Sequence, residues 1–263
     1  MATIQHYVLI TGASSGIGFE LAKLFAKDGY NLVIVARGNE DLQLAAAKLK
    51  SEGNVKVETI TKDLFHPNAA FELYDAIKAK GIVIDMLVND AGQGVYGKFT
   101  DTDIERELKI IQLNISSLLV LTKLYLKEMT ERGTGRILNV SSIASKTPGP
   151  WQSVYHGTKA FVQSFTEAIR EETKDTGVTI TALLPGATDT DFFHKADMES
   201  SKVVVEGKLA DAAVVAKDGY DALMAGKDMV ISGFKNKVQV AMANLMPDSK
   251  TAENMRKAQE PAT

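Results

Sequence analysis

The chain contains no cysteine. That excludes a disulfide framework, a cysteine-based zinc site and a thiol nucleophile, and it fits a reducing compartment. Its four histidines, His6, His66, His156 and His194, stand at no metal-ligand spacing. No metal centre is expected, and each histidine reads as a surface or loop residue. No basic cluster stands out and the net charge is −3, which argues against a nucleic-acid partner. No apolar run approaches the ~18 residues of a membrane span. Residues 1–7 carry no basic region followed by an apolar core of signal-peptide length. A soluble, cytoplasmic protein with no membrane partner is the expectation. Linkers, low-complexity stretches and internal repeats are also lacking, so one domain over 1–263 is the economical reading.

The composition that remains is that of an ordinary globular protein, 45% hydrophobic and 24% charged over 263 residues. Residues 7–10 are an apolar run that ends in Thr11-Gly12, the pattern of a buried strand. Behind it, Leu21, Leu24 and Phe25 recur among charges over 19–27 and predict an amphipathic helix. Further strands are expected over 31–36, 55–60, 82–88, 135–140, 178–184 and 229–231. Helices are expected over 39–52, after Pro67 as a first-turn residue, over 101–131 and over 160–174. This alternation demands an α/β fold: a single-domain, Rossmann-like, doubly wound parallel sheet of about seven strands with helices on both faces. The core extends over about 1–232, with a loop at 187–209 that shapes the substrate site, and 233–263 is a C-terminal extension. Within the extension, 238–246 is an apolar-rich helix candidate. Its methionines are expected to pack at a subunit contact or over the active site. Residues 256–263 are polar and expected to be mobile.

Three glycines punctuate the first β–α turn: Gly12, Gly16 and Gly18, in the spacing Gly-x-x-x-Gly-x-Gly rather than the commoner Gly-x-Gly-x-x-Gly. Glycines there permit a tight turn and let a pyrophosphate approach the backbone and the helix N-terminus. Ser14 and Ser15 between them offer hydroxyls to phosphate or ribose oxygens. A glycine-rich turn without a ligand is the bland alternative, and the place of this one after the first strand of an alternating chain disfavours it.

Tyr155 and Lys159 stand four apart at the start of a proline-free stretch of good helix formers, so both project from one helical face. An ammonium beside a phenol favours the phenolate and lowers its pKa from about 10. A phenol tuned in this way can exchange a proton near neutral pH. The spacing alone is common, and the surface of an ordinary helix is its simplest explanation. The company it keeps decides otherwise.

The run Thr11-Gly12-Ala13-Ser14-Ser15-Gly16-Ile17-Gly18 resembles the cofactor motif of the short-chain dehydrogenase/reductase family, and the resemblance continues to about Ser232. Asp63-Leu64 resembles the acid that contacts adenine. Asn89-Asp90-Ala91-Gly92 resembles the family's Asn-Asn-Ala-Gly, with Asp90 as a visible departure that bears on local hydrogen bonds and on no catalytic group. Asn114, Ser142, Tyr155 and Lys159 match the catalytic tetrad, and Pro185-Gly186-Ala187-Thr188-Asp189-Thr190 resembles the nicotinamide loop. Seven matches in the right order are far more specific than any one.

The resemblance implies a nicotinamide cofactor held by Gly12, Ser14, Ser15, Gly16, Ile17, Gly18, Asp63, Leu64, Asn89, Ala91, Gly92, Pro185, Gly186, Thr188 and Thr190, together with Tyr155 and Lys159. It implies Tyr155 as the acid in reduction and the base in oxidation, and Ser142 (with Ser141 the alternative) as the group holding the substrate oxygen. Lys159 would lower the tyrosine pKa and hold the nicotinamide ribose. Asn114 would anchor a water that links Lys159 to solvent. Apolar neighbours of Asn114 also place it in the interior, where an amide needs a partner.

At the end of the second strand an NAD-binding protein of this fold carries an acid for the ribose 2′-hydroxyl. Arg37 stands there instead. A guanidinium pairs with a 2′-phosphate, so NADP(H) is expected, although a solvated arginine at a strand end is the simpler alternative. Trp151, Phe192, Phe193 and Met198 are candidates for an apolar substrate lip, or else they cover the core or an interface.

The leading function is therefore an NADP(H)-dependent carbonyl reductase or alcohol dehydrogenase acting on a small-molecule carbonyl or alcohol, as a homo-oligomer, a dimer or tetramer. A catalytically silent cofactor-binding sensor or scaffold is the alternative from another class. Lyases, epimerases and dehalogenases built on the same fold come third.

Overall fold

A computed structural model describes residues 7–262; His6 lies outside them. In chain order the elements are β1 (Tyr7–Thr11), α1 (Gly16–Lys27), β2 (Asn31–Ala36), α2 (Asn39–Glu52), β3 (Val57–Thr61), α3 (Ala69–Ala79) and β4 (Ile84–Asn89). Then come α4 (Ile104–Ile111), α5 (Leu118–Arg132), β5 (Gly135–Val140), α6 (Ser153–Glu172), β6 (Val178–Leu184), α7 (Phe192–Lys195), α8 (Lys202–Val205), α9 (Ala212–Met224), β7 (Met229–Ile231), α10 (Phe234–Ala243) and α11 (Asp248–Gln259).

The strands form one parallel sheet in the order β3-β2-β1-β4-β5-β6-β7. The order reverses between β1 and β4, so the carboxyl ends of these strands open into the crevice where such sheets bind ligands. Near-continuous burial of β1, β2 and β4 follows from helices on both faces. Alternate side chains feed two cores. Val8 and Ile10 join Leu21 and Phe25 of α1 and Val215 and Leu223 of α9. Tyr7 and Leu9 join Leu73 of α3, Leu121 and Tyr125 of α5 and Ile169 of α6.

The helix expected over 101–131 is broken by geometry rather than by sequence punctuation. A π-helical turn, Gln112–Ser117, separates α4 from α5. Such turns insert an extra residue and concentrate at functional sites. This one carries Asn114. Ser117 holds it down through a 2.7 Å hydrogen bond to the Leu64 carbonyl. The continuous run Ile104–Arg132 is long and apolar enough to cross a bilayer, which the sequence did not suggest. Here Leu113, Leu118, Leu121, Tyr125 and Met129 are packed into the interior of the fold.

The helix after β3 begins at Ala69, beyond Pro67, so the proline lies in the preceding turn. The expected mobility of 256–263 is not what the fold shows up to residue 262. Helix α11 extends to Gln259, which is buried. Past it, Ser201 pairs with Pro261, and the Lys202 N–H donates to the Glu260 carbonyl at 3.1 Å. The tail thereby straps the 187–209 loop.

Candidate active site

A cavity of about 640 Å³ runs along the carboxyl ends of the strands. Gly12, Ser14, Ser15, Gly16 and Ile17 line it from the turn after β1, and Arg37 lines it from the end of β2. Leu64, Ala91 and Gly92 follow β3 and β4; Pro185, Gly186, Thr188 and Thr190 follow β6. Ser142, Tyr155, Lys159, Phe192 and Phe193 line the same space. Residues more than a hundred positions apart are brought together because every strand ends at the same edge.

The glycines clear the floor. Gly12 has φ +77°, and a Cβ there would stand 2.9 Å from the Ala91 nitrogen. Gly16 has φ +58°, and its Cβ would meet Thr190 at 3.0 Å. Ser15 takes the N-cap place of α1 but makes no side-chain capping bond, and Ser15, Gly16 and Ile17 bring the helix N-terminus to the cavity. A glycine-lined cradle at a helix N-terminus, with an exposed arginine beyond it, fits a dinucleotide.

Five of the sequence candidates stand off the cavity wall, Asn114 among them. Gly18 lies one layer beneath, where a Cβ would come 2.5 Å from Asp90 Oδ2. Asn89 is buried and spans β4, β5 and α5, donating to Asn139 Oδ1 at 2.9 Å and Thr122 Oγ1 at 3.0 Å. Asp63 turns to its own loop and accepts the Phe65 N–H at 3.1 Å. Trp151 stacks on Tyr96, ring centroids 5.5 Å apart, with its backbone at φ +73°. Its carbonyl takes the Gly97 N–H at 2.9 Å. The indole thus pins the loop after β4 rather than forming the lip expected of it.

Asn114 is buried with its amide fully engaged. Its Nδ2 donates to the Gln93 carbonyl at 2.9 Å and to Thr158 Oγ1 at 3.0 Å, while Oδ1 accepts the Gln93 N–H at 3.0 Å. Across Gly92, Oδ1 and Lys159 Nζ lie 3.4 and 3.2 Å from the point a Cβ would occupy. The Lys159 ammonium donates to the Val140 carbonyl at 2.8 Å and stands 5.8 Å from the centroid of the Tyr155 ring.

The two candidate serines differ in what their hydroxyls face, and Ser142 lines the cavity beside Tyr155. Its hydroxyl accepts the Ala144 N–H at 3.1 Å, donates to the Pro185 carbonyl at 3.3 Å, and hydrogen-bonds the Tyr155 phenol. Ser141 faces away and donates to the Lys159 carbonyl at 2.8 Å.

The expected lowering of the Tyr155 pKa does not hold in this arrangement. Burial pushes the phenol up to about 12, opposed by the Ser142 hydrogen bond and reinforced by Asp90. Burial brings Lys159 down to about 8, with Asp90 holding it up. Asp90 itself is pushed up to about 7 by burial, against the pull of Lys159 and of the Gly18 N–H. Desolvation outweighs the pairings because all three groups lie deep in the fold.

His156 reverses another expectation. It is buried on α6 rather than placed on the surface, and it lines the cavity. Its Nδ1 lies 2.8 Å from the Thr147 carbonyl and its Nε2 lies 3.0 Å from Gln259 Nε2. Residues that the sequence did not point to also line the cavity: Phe65, whose ring carries the Arg37 guanidinium at 4.8 Å, and Gln152, Met255 and Gln259. Gly94 packs behind Tyr155, where a Cβ would meet Phe192 at 3.0 Å and Gln152 Nε2 at 3.2 Å. The aromatic at 65, two residues past Asp63, was the only available signal among these. In α10, Asn236 and Gln239 face the cavity, while Val238 and Met242 are exposed on another face, so Met242 does not cover the active site.

Residues 6–200 match the short chain dehydrogenase family. The chain belongs to that family, and it is an oxidoreductase with a nicotinamide cofactor. It is 32% identical over 217 residues to an uncharacterized oxidoreductase of Staphylococcus saprophyticus, covering 82% of this chain and 93% of the relative. It is 31% identical over 252 residues to dehydrogenase/reductase SDR family member 7B of Mus musculus, covering 91% and 77% of the two chains. Its fold is similar to a short-chain dehydrogenase from Sphingobium yanoikuyae in complex with NADPH, with TM-score 0.81 and 28% identity over 94% of this chain and 99% of the other.

Proposed function

We propose that this oxidoreductase uses NADP(H) to interconvert a carbonyl and a secondary alcohol. The observation that carries the reading is the convergence of Ser142, Tyr155 and Lys159 on one cavity wall, beside Asn114. A bound nicotinamide supplies or accepts the hydride. As hydride moves, charge develops on the substrate oxygen, and a positioned hydroxyl must hold it while a proton is delivered. Ser142 holds that oxygen and Tyr155 gives or takes the proton. Lys159 faces the phenol and carries the charge that offsets a phenolate. Asn114 fixes the loop after β4 through Gln93 and flanks Lys159, where it supports the proton path.

The NADP(H) choice is supported by Arg37, which lines the cavity, is exposed and has no ion pair among the described residues. Its guanidinium lies over Phe65, an arrangement that orients a planar cation. The Sphingobium neighbour was solved with NADPH, which agrees. Phe192, Phe193, Met198 and Val203 line the end of the cavity and suit an apolar substrate body. A homo-oligomer is part of the proposal: Leu108 of α4, Leu119 of α5 and Phe161 of α6 expose apolar side chains.

The test is NADPH and NADH fluorescence titration, followed by turnover with a panel of aldehydes and ketones. Tight NADPH binding with turnover of apolar ketones is expected. Binding without turnover of any substrate leaves the silent sensor as the better reading.

A further inference from the structure

The turn after β1, the head of α1 and the loop after β4 meet at Asp90. Its N–H and that of Ala91 both donate to Thr11 Oγ1 at 3.2 Å, which fixes the loop against β1. The carboxyl then points under the glycine turn. A Cβ on Gly18 would stand 2.5 Å from Oδ2, and one on Gly12 would stand 3.1 Å from it. Two of the three motif glycines thus make room for this carboxyl as well as for the turn.

The carboxyl accepts the Gly18 N–H. Gly18 is the third residue of α1, and its N–H is one of the first-turn donors that a helix leaves unpaired. Ser15 leaves that end uncapped, so Asp90 caps α1 from another strand. An anion at this end is favourable. It is also the end to which the fold directs a dinucleotide pyrophosphate. Two anions therefore share one helix terminus. The titratable groups facing Asp90 are Lys159 and Tyr155, both from α6. From α1 and the turn after β1 it meets the backbone of Gly18 and Gly12. Among the described residues, one buried ammonium is its counter-charge.

We propose that Asp90 links cofactor binding to a proton: its carboxyl becomes protonated as the pyrophosphate arrives at the head of α1, keeping through its carbonyl oxygen the bond from Gly18. An asparagine at this place, as in the family pattern, would accept the same bond with no charge to neutralise. The inference rests on the nicotinamide reading above. The direction follows from linkage. A bound anion raises the Asp90 pKa above its value in the free protein, so the bound state holds more protons and affinity falls as pH rises. With the free carboxyl already near 7, the fall begins there. Asp90 and Lys159 titrate as a coupled pair, so each variant shifts the other group.

The experiment is fluorescence titration with NADH, which lacks the separately titrating 2′-phosphate, between pH 6 and 9. Wild-type affinity is expected to fall by up to about tenfold per pH unit above 7, the limit for one proton. Asp90→Asn should bind NADH at pH 8.5 at least about threefold more tightly than wild type. Lys159→Met should keep the dependence and move it to higher pH, because Asp90 loses its counter-charge. Calorimetry of the wild type in buffers of different ionisation enthalpy should show net proton uptake at pH 7.5, reduced in Asp90→Asn. Should that variant not fold, the wild type and Lys159→Met together decide. No proton uptake, a flat wild-type profile, or loss of the dependence in Lys159→Met overturns the proposal. Failure to bind NADH or NADPH at any pH sinks the cofactor reading and this one with it.

Discussion

Gln259 Nε2 lies 3.0 Å from His156 Nε2, joining α11 to the residue that follows Tyr155. The histidine Nδ1 faces the Thr147 carbonyl, so that nitrogen carries the proton and Nε2 accepts from the amide. The Tyr96 hydroxyl donates to the Gln259 carbonyl at 2.6 Å and completes the attachment. The end of the chain is thereby part of the cavity wall.

Gln259→Ala is expected to remove this tie. A buried acceptor left without its donor costs about 1–3 kcal/mol, which for a chain of this size lowers Tm by several degrees. The substrate KM should rise while cofactor affinity stays unchanged. An unaltered Tm and KM would show that α11 is held by other contacts. Burial lowers the His156 pKa, so the neutral ring contributes fully above its unfolded value of about 6.5. As pH falls through that value the unfolded chain takes up a proton that the folded ring resists, and stability declines. Thermal melts between pH 7.5 and 5 should show a steeper acid decline in the wild type than in His156→Gln.

Tyr155→Phe should fold and bind the cofactor but lose about 10²–10⁴ of turnover, the usual contribution of a positioned proton donor. The ring keeps its contact with Phe192, at 5.1 Å between centroids, while the hydroxyl bonded to Ser142 is gone. Single-turnover rates check this. A variant retaining more than about a tenth of the rate would remove Tyr155 from the role.

Lys159→Ala should lose activity and weaken cofactor binding together. Burial lifts the phenol to about 12, so the nearby ammonium is the charge that makes a phenolate attainable. It also holds the loop after β5 through Val140. If saturating cofactor restored the full rate, the ammonium would have no part in the proton transfer.

Arg37→Asp should reverse or abolish a preference for NADPH over NADH. The change removes a charge-assisted hydrogen bond of roughly 1.5–3 kcal/mol, places a carboxylate against the phosphate and supplies an acceptor for a 2′-hydroxyl. The swing in the ratio of Michaelis constants should reach at least ~10-fold, limited by the screening of an exposed cation. Equal use of both cofactors by the wild type would leave Arg37 a surface residue.

Local pattern determined much of this protein. The strand runs are buried on both faces, so their apolar character alone marks them, and the glycine spacing marks the first β–α turn. The spacing of Tyr155 and Lys159 put them on one helical face before any fold was known. Other features have no local signature. The π turn that carries Asn114 depends on packing against Leu64. The tail holding Gln259 reads as polar and loose, because what orders it lies about sixty to more than a hundred and sixty residues away, at Ser201, His156 and Tyr96. Burial also changes the chemistry that spacing suggests. Four residues of separation bring an ammonium to a phenol, but only the tertiary structure decides how much water each has lost, and that sets the pKa values of Asp90, Tyr155 and Lys159.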